Sequence, residues 1–159
     1  GAAHACAIMG GGVACWGDDT AGQLGDDDPG TGSPAFKPDP VRVLDATGTM
    51  PLADVTAIAC GGNDTCAVSG GNLFCWGDGT NGVLGDGTTA AHRRPVAVVS
   101  TSGGGSLSDI ASVSVSGSHA CAVTTAGRPL CWGDNRHGEL GNGTSGGTSS
   151  VPLAVAPPS

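Results

Sequence analysis

Seven cysteines in 159 residues are the side chains with the most chemistry open to them. Six fall into three pairs, Cys6 with Cys15, Cys66 with Cys75 and Cys121 with Cys131, each pair enclosing a short apolar stretch interrupted by glycine. Thiols so paired oxidise to disulfides, ligate a soft metal, or pack reduced as small apolar groups. Counting inward from Cys6 and Cys15 opposes Ala7 to Ala14, Ile8 to Val13 and Met9 to Gly12, and leaves Gly10-Gly11 as a two-residue turn. Gly-Gly suits the positive φ angles of such turns. Pairs alternate outward from the turn, so the cysteines occupy a non-hydrogen-bonded position, where Cα atoms approach to about 4.5 Å and a disulfide fits. Cys66 and Cys75 repeat the count around Gly70-Gly71. Between Cys121 and Cys131 there is one more residue, and the turn becomes Thr125-Ala126-Gly127, with Gly127 free to take the left-handed bulge position. Three cross-strand disulfides are therefore expected. Zinc is disfavoured, because no C-x2-C pair occurs and two thiols facing each other across one ladder need further ligands. Cys60 is the odd thiol; its counterpart in the third repeat is Val115, which predicts a small buried residue, with a bond to another chain as the alternative.

The remaining chemistry-bearing residues point less sharply. His4, Asp64 and His119 each stand two residues before the first cysteine of a pair, and three such residues around an axis can be imagined as a metal site; anchoring of their own turns is the favoured role. Asp26-Asp27-Asp28 lacks the spaced oxygens of a calcium loop and is expected to be a solvated segment. Gly77 to Gly82 spells G-x-G-x-x-G after a strand, but no helix follows and its middle glycine becomes Asp19 and Asn135 in the other copies. Asn63 and Asn142 begin glycosylation sequons, and the Thr/Ser-rich 144–150 stretch has the composition of an O-glycan acceptor. No Ser/His/Asp or Cys/His grouping can be assigned, so no enzyme, no cofactor and no resident metal are expected.

These residues are positioned by a repeating four-strand unit. A feeder strand at 55–60 or 110–116 leads into a disulfide hairpin whose second strand ends in Cys-Trp-Gly. A polar loop closing on Leu-Gly follows, and then a proline-led strand at 40–44, 95–99 or 151–155. The first unit has no feeder before His4. The repeats run over about 1–53, 54–108 and 109–159 within one domain, 1–159. Trp16, Trp76 and Trp132 directly follow the second cysteine and so face the opposite side of the sheet from it, where they are expected to pack between neighbouring units.

Composition agrees. Thirty glycines, ten prolines, no tyrosine and two phenylalanines disfavour helices and imply an all-β fold. A net charge of −8 opposes general binding to nucleic acid or to an anionic membrane, and no apolar run is long enough to span a bilayer. Paired cysteines suggest an exported, extracellular or periplasmic protein. A start at Gly1-Ala2-Ala3 suggests a processed product or an excerpt.

A four-stranded sheet repeated with one tryptophan per unit is the pattern of a propeller blade. The elements G-x-x-H-x-C-A, C-W-G-x-N, G-x-L-G-x-G and P-x-x-V resemble the RCC1 repeat, the β-propeller family of the regulator of chromosome condensation, and the likeness covers nearly the whole chain in three copies. Its cysteine-bearing form resembles the bacterial extracellular branch. The resemblance implies blades of a propeller that commonly has seven, so this chain is expected to be an open or partial propeller of about three blades, the first incomplete. Three functions follow as expectations. The first is a secreted structural or adhesive protein that assembles through its blade edges with other copies, into fibres. The second is a protein-binding propeller segment that holds an enzyme or other protein through loops 18–39 and 100–108 on one face. The family's guanine nucleotide exchange role is the least compatible, given the acidic, disulfide-stapled chain.

Overall fold

The computed structural model describes residues 1–28, 35–101 and 104–158; parts of both expected contact loops, 29–34 and 102–103, lie outside the described residues. It is all-β, with three antiparallel sheets in sequence. The first has β1 (His4–Met9), β2 (Gly12–Asp18) and β3 (Phe36–Arg42). The second has β4 (Val55–Gly61), β5 (Asp64–Ser69), β6 (Asn72–Gly77) and β7 (His92–Ala97). In the third, β8 (Ile110–Val115), β9 (His119–Thr124), β10 (Pro129–Asp134) and β11 (Thr148–Ala154) lie in the same order. Each sheet is a meander, because every connection joins antiparallel neighbours and no crossover is needed.

The hairpin registers are those that parity requires. Cys6 opposes Cys15, Cys66 opposes Cys75 and Cys121 opposes Cys131, with Cα separations of 4.1, 4.0 and 4.1 Å, and each pair is a disulfide. Gly10-Gly11 and Gly70-Gly71 turn at positive φ, and Gly127 takes φ 77° in the longer turn. The feeder strands at β4 and β8 fall where expected.

The proline-led strands differ. They start earlier, at Phe36, His92 and Thr148, and the prolines lie inside them. In all three sheets the register advances four residues on the outer strand for two on its partner: Gly17↔Lys37 to Cys15↔Val41, Gly77↔His92 to Cys75↔Val96, Gly133↔Ser149 to Cys131↔Leu153. Pro40, Pro95 and Pro152 sit in that bulge on an edge strand, where a missing N–H breaks no ladder bond. Facing the bulge, Gly17, Gly77 and Gly133 have φ of 102°, 124° and 101°. A Cβ on Gly17 or Gly133 would stand 2.5 Å from the carbonyl oxygen of Ala3 or Ser118, so the third residue of Cys-Trp-Gly has to be glycine.

The core divides into two clusters, and each is a seam between sheets. One joins Val13, Leu24 and Val43 to Val55, Ala67 and Trp76; the other joins Val68, Leu73, Leu84 and Val98 to Ile110, Ala120, Leu130 and Trp132. Alternating strand direction puts the chain reversals at two opposite ends. The Cys-Trp-Gly end carries the loops after β2, β6 and β10. The hairpin-tip end carries the turns at 10–11, 70–71 and 125–127 together with the loops after β3 and β7. Loops 18–39 and 100–108 thus lie at opposite ends, against the expectation that they share a face, because an odd number of strands, β3 to β7, separates them.

Candidate functional site

Each seam is locked by the tryptophan that follows the second cysteine. Trp76 and Trp132 are fully buried, and their indole N–H groups donate to Gln23 O at 3.0 Å and to Val83 O at 2.7 Å in the preceding unit. Gly25 and Gly85 are φ-positive at the ends of those Leu-Gly loops, and a Cβ on either would lie within 2.7 Å of the indole nitrogen. Trp16 has the same local position but is half-buried.

Polar side chains at the first seam form a chain. The Thr65 hydroxyl donates to Gln23 O at 2.9 Å, so its oxygen can only accept from His4 Nε2, 2.8 Å away. That fixes the His4 tautomer with the proton on Nε2, and Nδ1 has no partner. Burial drives the His4 pKa down to about 4. Asp64, at the equivalent position, accepts from Gly79 N–H at 3.0 Å, and burial pushes its pKa up to about 6. His119 instead meets Ser116 Oγ through Nδ1 at 3.0 Å. The three residues each anchor local or seam contacts. Among the described residues, His4, Cys6 and Cys60 form the one group of three side chains close enough to share a metal ion, and Cys6 is oxidised. Cys60 is free and half-buried, and burial raises its thiol pKa.

The acidic tract is tied down, contrary to the solvated loop expected. Asp26 and Asp28 pair with Lys37, the latter at 2.9 Å, and buried Asp19 lies 3.6 Å from the same ammonium. Asp27 reaches Arg94 Nη1 of the next sheet at 3.0 Å, its N–H donates to Arg93 O, and Arg93 donates to Asp28 O. Nothing but long-range pairing could have revealed this clasp: the three aspartates serve two sheets. Asn63 is half-buried in the β4–β5 turn, and its sequon partner Thr65 is fully buried in the seam. Asn142 is half-buried and accepts from Thr144 N–H and Oγ–H.

The two ends of the sheets differ in kind. Lys37, Arg136 and His137 pair with carboxylates at the Cys-Trp-Gly end, His92 Nε2 lies 3.0 Å from Asp86 without a hydrogen bond of good geometry, and the Arg94–Asp27 pair lies along the seam beside Gly48. At the hairpin-tip end, Met9 and Met50 are 63% and 62% exposed, joined by Ile8 and Val123. A groove of about 530 Å³ opens there between the first hairpin tip and Pro51–Asp54, with Arg42 on its rim, and a smaller one of about 170 Å³ lies beside Leu107 and Arg128. Phe36, 56% exposed, lies at the Cys-Trp-Gly end, so exposed apolar side chains occur at both ends, and it is the groove beside Met9 that gives the hairpin-tip end the form of a surface that receives a ligand or partner. Sequence reasoning missed this end, because Met9 and Met50 lie 41 positions apart and neither belongs to a repeat motif.

Comparison with known proteins follows the same lines. The model of the "Regulator of chromosome condensation (RCC1) repeat" matches residues 10–68 and 70–123, and a second model of that repeat matches 110–139. Residues 10–68 run from the first hairpin turn into β5, so a sequence repeat spans a seam and contributes to two sheets. The chain is similar to the ultraviolet-B receptor UVR8 of Arabidopsis thaliana, 31% identical over 146 residues, covering 90% of this chain and 30% of that protein. It is also similar to the human E3 ubiquitin-protein ligase HERC2, 34% identical over 134 residues, 84% of this chain and 2% of the ligase. Among solved structures, human WBSCR16 superposes with a TM-score of 0.77 at 25% identity, over 98% of this chain and 38% of that one. Yeast Prp20p, described with its binding properties to Gsp1p and histones, gives 0.75 at 20% identity over 98% and 36%. The chain therefore spans less than two fifths of the length of these relatives. With two full repeats matched and three blade-like sheets in the propeller arrangement, this chain belongs to the RCC1 repeat family.

Proposed function

We propose that this chain is a non-enzymatic protein-binding segment of an RCC1-type propeller, and that it receives its partner at the hairpin-tip end. One observation carries the reading: the hairpin-tip end leaves Met9 and Met50 exposed beside a groove of about 530 Å³. The frame suits the role, since three disulfides and two tryptophan-locked seams hold the hairpin tips in fixed relation. Apart from His4 Nδ1, the buried polar side chains His4, Asp19, Gln23, Asp64, Thr65, Asp134 and Asn135 are engaged in turns and seams, which supports binding over catalysis. Relatives offer precedent, since yeast Prp20p binds Gsp1p and histones. The disulfides support an extracellular or periplasmic setting, and among the described residues no helix is long and apolar enough to cross a membrane. The test is a partner screen on the immobilised chain with a Met9→Glu/Met50→Glu double variant beside it. The reading expects a discrete protein held by the native chain and lost from the variant; binding unaffected by the pair of glutamates contradicts it.

A second reading has its own support. Among the described residues strand β1 pairs only with β2, so its other edge is an edge of the sheet where an incoming strand could add, and a further copy of this chain could supply one in an adhesive or fibrous assembly. Light scattering after size exclusion tests it: large, polydisperse particles support assembly, and a monomer sinks it.

A further inference from the structure

The free thiol of Cys60 lies against the first disulfide. A ring nitrogen of His4, Cys6 Sγ and Cys60 Sγ all lie within 4.8 Å of one another, although Cys6 is on β1 of the first sheet and Cys60 on β4 of the second. Thiol–disulfide exchange needs a thiol close to a disulfide sulfur and a group to take its proton. The first requirement is met by Cys60 Sγ and Cys6 Sγ, and at mildly alkaline pH solvent hydroxide takes the proton. His4 is 5% exposed, its proton is held on Nε2 by Thr65, and its Nδ1 has no hydrogen-bond partner among the described residues, so a neutral imidazole, not an imidazolium, lies beside the two sulfurs. The other two disulfides have no such neighbour, since Cys60 is the one free cysteine and Val115 stands in its place in the third unit.

We propose that Cys60 is an exchange thiol that moves the first disulfide from within a hairpin, Cys6–Cys15, to across the seam, Cys6–Cys60. Cys60 gives up its proton and its sulfur attacks Cys6 Sγ; a Cys6–Cys60 bond forms, the Cys6–Cys15 bond breaks, and Cys15 leaves as a thiolate that takes up one proton. One disulfide and one thiol are present before and after, so no oxidant or reductant is consumed. Burial raises the Cys60 thiol pKa, and His4, held by burial at about 4, is too weak a base to take that proton, so the exchange runs through the small thiolate fraction and quickens as pH rises. The consequence is mechanical: a staple that closes a nine-residue separation within one hairpin becomes one that joins two sheets, leaving Cys15 as the free thiol.

Trapping and peptide mapping test this. The oxidised chain is held at mildly alkaline pH, quenched in acid, alkylated after unfolding and digested without reduction. At the start the alkyl group is expected on Cys60 alone. With time it shifts to Cys15 in a growing share of chains, together with a Cys6–Cys60-linked peptide, at unchanged total thiol and monomeric mass. Alkylation confined to Cys60 at every time overturns the proposal. A Cys15→Ala chain exposed to oxidised glutathione gives the second measurement, with the Cys66–Cys75 and Cys121–Cys131 bonds reporting that the other hairpins have folded. Closure of Cys6 to Cys60, with loss of both thiols, supports the proposal; two free or separately glutathionylated thiols in a chain whose other two bonds have formed overturn it.

Discussion

Replacing each tryptophan by phenylalanine separates the seam account from one in which the aromatic rings are simply buried bulk. Trp76 and Trp132 are equally buried, so each loses a similar amount of packing, about 1–2 kcal/mol for the shrunken ring and the void it leaves. Their acceptors differ. Gln23 O receives both Trp76 Nε1–H and Thr65 Oγ–H, and keeps one donor when the indole is gone. Val83 O receives Trp132 Nε1–H at 2.7 Å and has no second donor among the described residues. A buried carbonyl left without a partner costs a further 1–3 kcal/mol, roughly. Trp132→Phe is therefore expected to destabilise by about 3–4 kcal/mol and Trp76→Phe by about 2 kcal/mol. Trp16→Phe in this chain should change stability by less than about 1 kcal/mol, because Trp16 is half-buried. Urea titrations followed by far-ultraviolet circular dichroism, which does not depend on the residues replaced, give the three midpoints. Equal losses at Trp76 and Trp132, or a Trp16 loss as large as either, would refute the reasoning.

Other outcomes follow from the same contacts. Folded His4 stays neutral down to about pH 4, while in the unfolded chain it protonates near 6.5, so acidification through that window weakens the fold by up to about 3 kcal/mol. Asp64 acts in the opposite sense: its folded pKa of about 6 lies above the unfolded value, so the folded state takes up a proton first and stability rises as pH falls from about 6 to 4. In pH-dependent urea titrations, His4→Asn should remove the acid loss, and Asp64→Asn should remove the acid gain and raise stability at pH 7. Lys37→Ala leaves Asp19, Asp26 and Asp28 facing one another and should cost about 2 kcal/mol, whereas Arg94→Ala, in a pair more than 40% exposed on both sides, should cost less than about 1 kcal/mol; thermal midpoints distinguish them. Cys66→Ala/Cys75→Ala opens a loop whose closure is worth about 3 kcal/mol, and the loss should appear as an equally large drop in unfolding free energy.

Local parity made most of the frame legible. The two-residue alternation of a strand and the φ demands of Gly-Gly place Cys6 opposite Cys15 from the sequence alone, and the same rule holds for Cys66 and Cys121 because hairpins close over few residues. The outer strands were less legible. A strand-leading proline and a proline accommodated in an edge bulge look alike in sequence, and only the register beside Gly17, Gly77 and Gly133 tells them apart. Contacts across a seam left no local mark: Gln23 meets Thr65 and Trp76, and Asp27 meets Arg94, at separations of 42 to 67 residues. For the same reason the acidic tract reads as a free loop, and loops 18–39 and 100–108 read as neighbours until the strands between them are counted. Most of all, the exposed methionines of the hairpin-tip end become a surface only once β1–β2 and the 51–54 loop are folded side by side.

The central claim, that the hairpin-tip end receives a protein, is tested most directly by photo-crosslinking. A benzophenone-bearing residue is placed at Met9, at the rim of the groove, or at Thr20, exposed at the opposite end, and each chain is irradiated in extract from its native host. The account predicts one discrete adduct from position 9, absent from position 20. An adduct from position 20 alone, or from neither position, would contradict it.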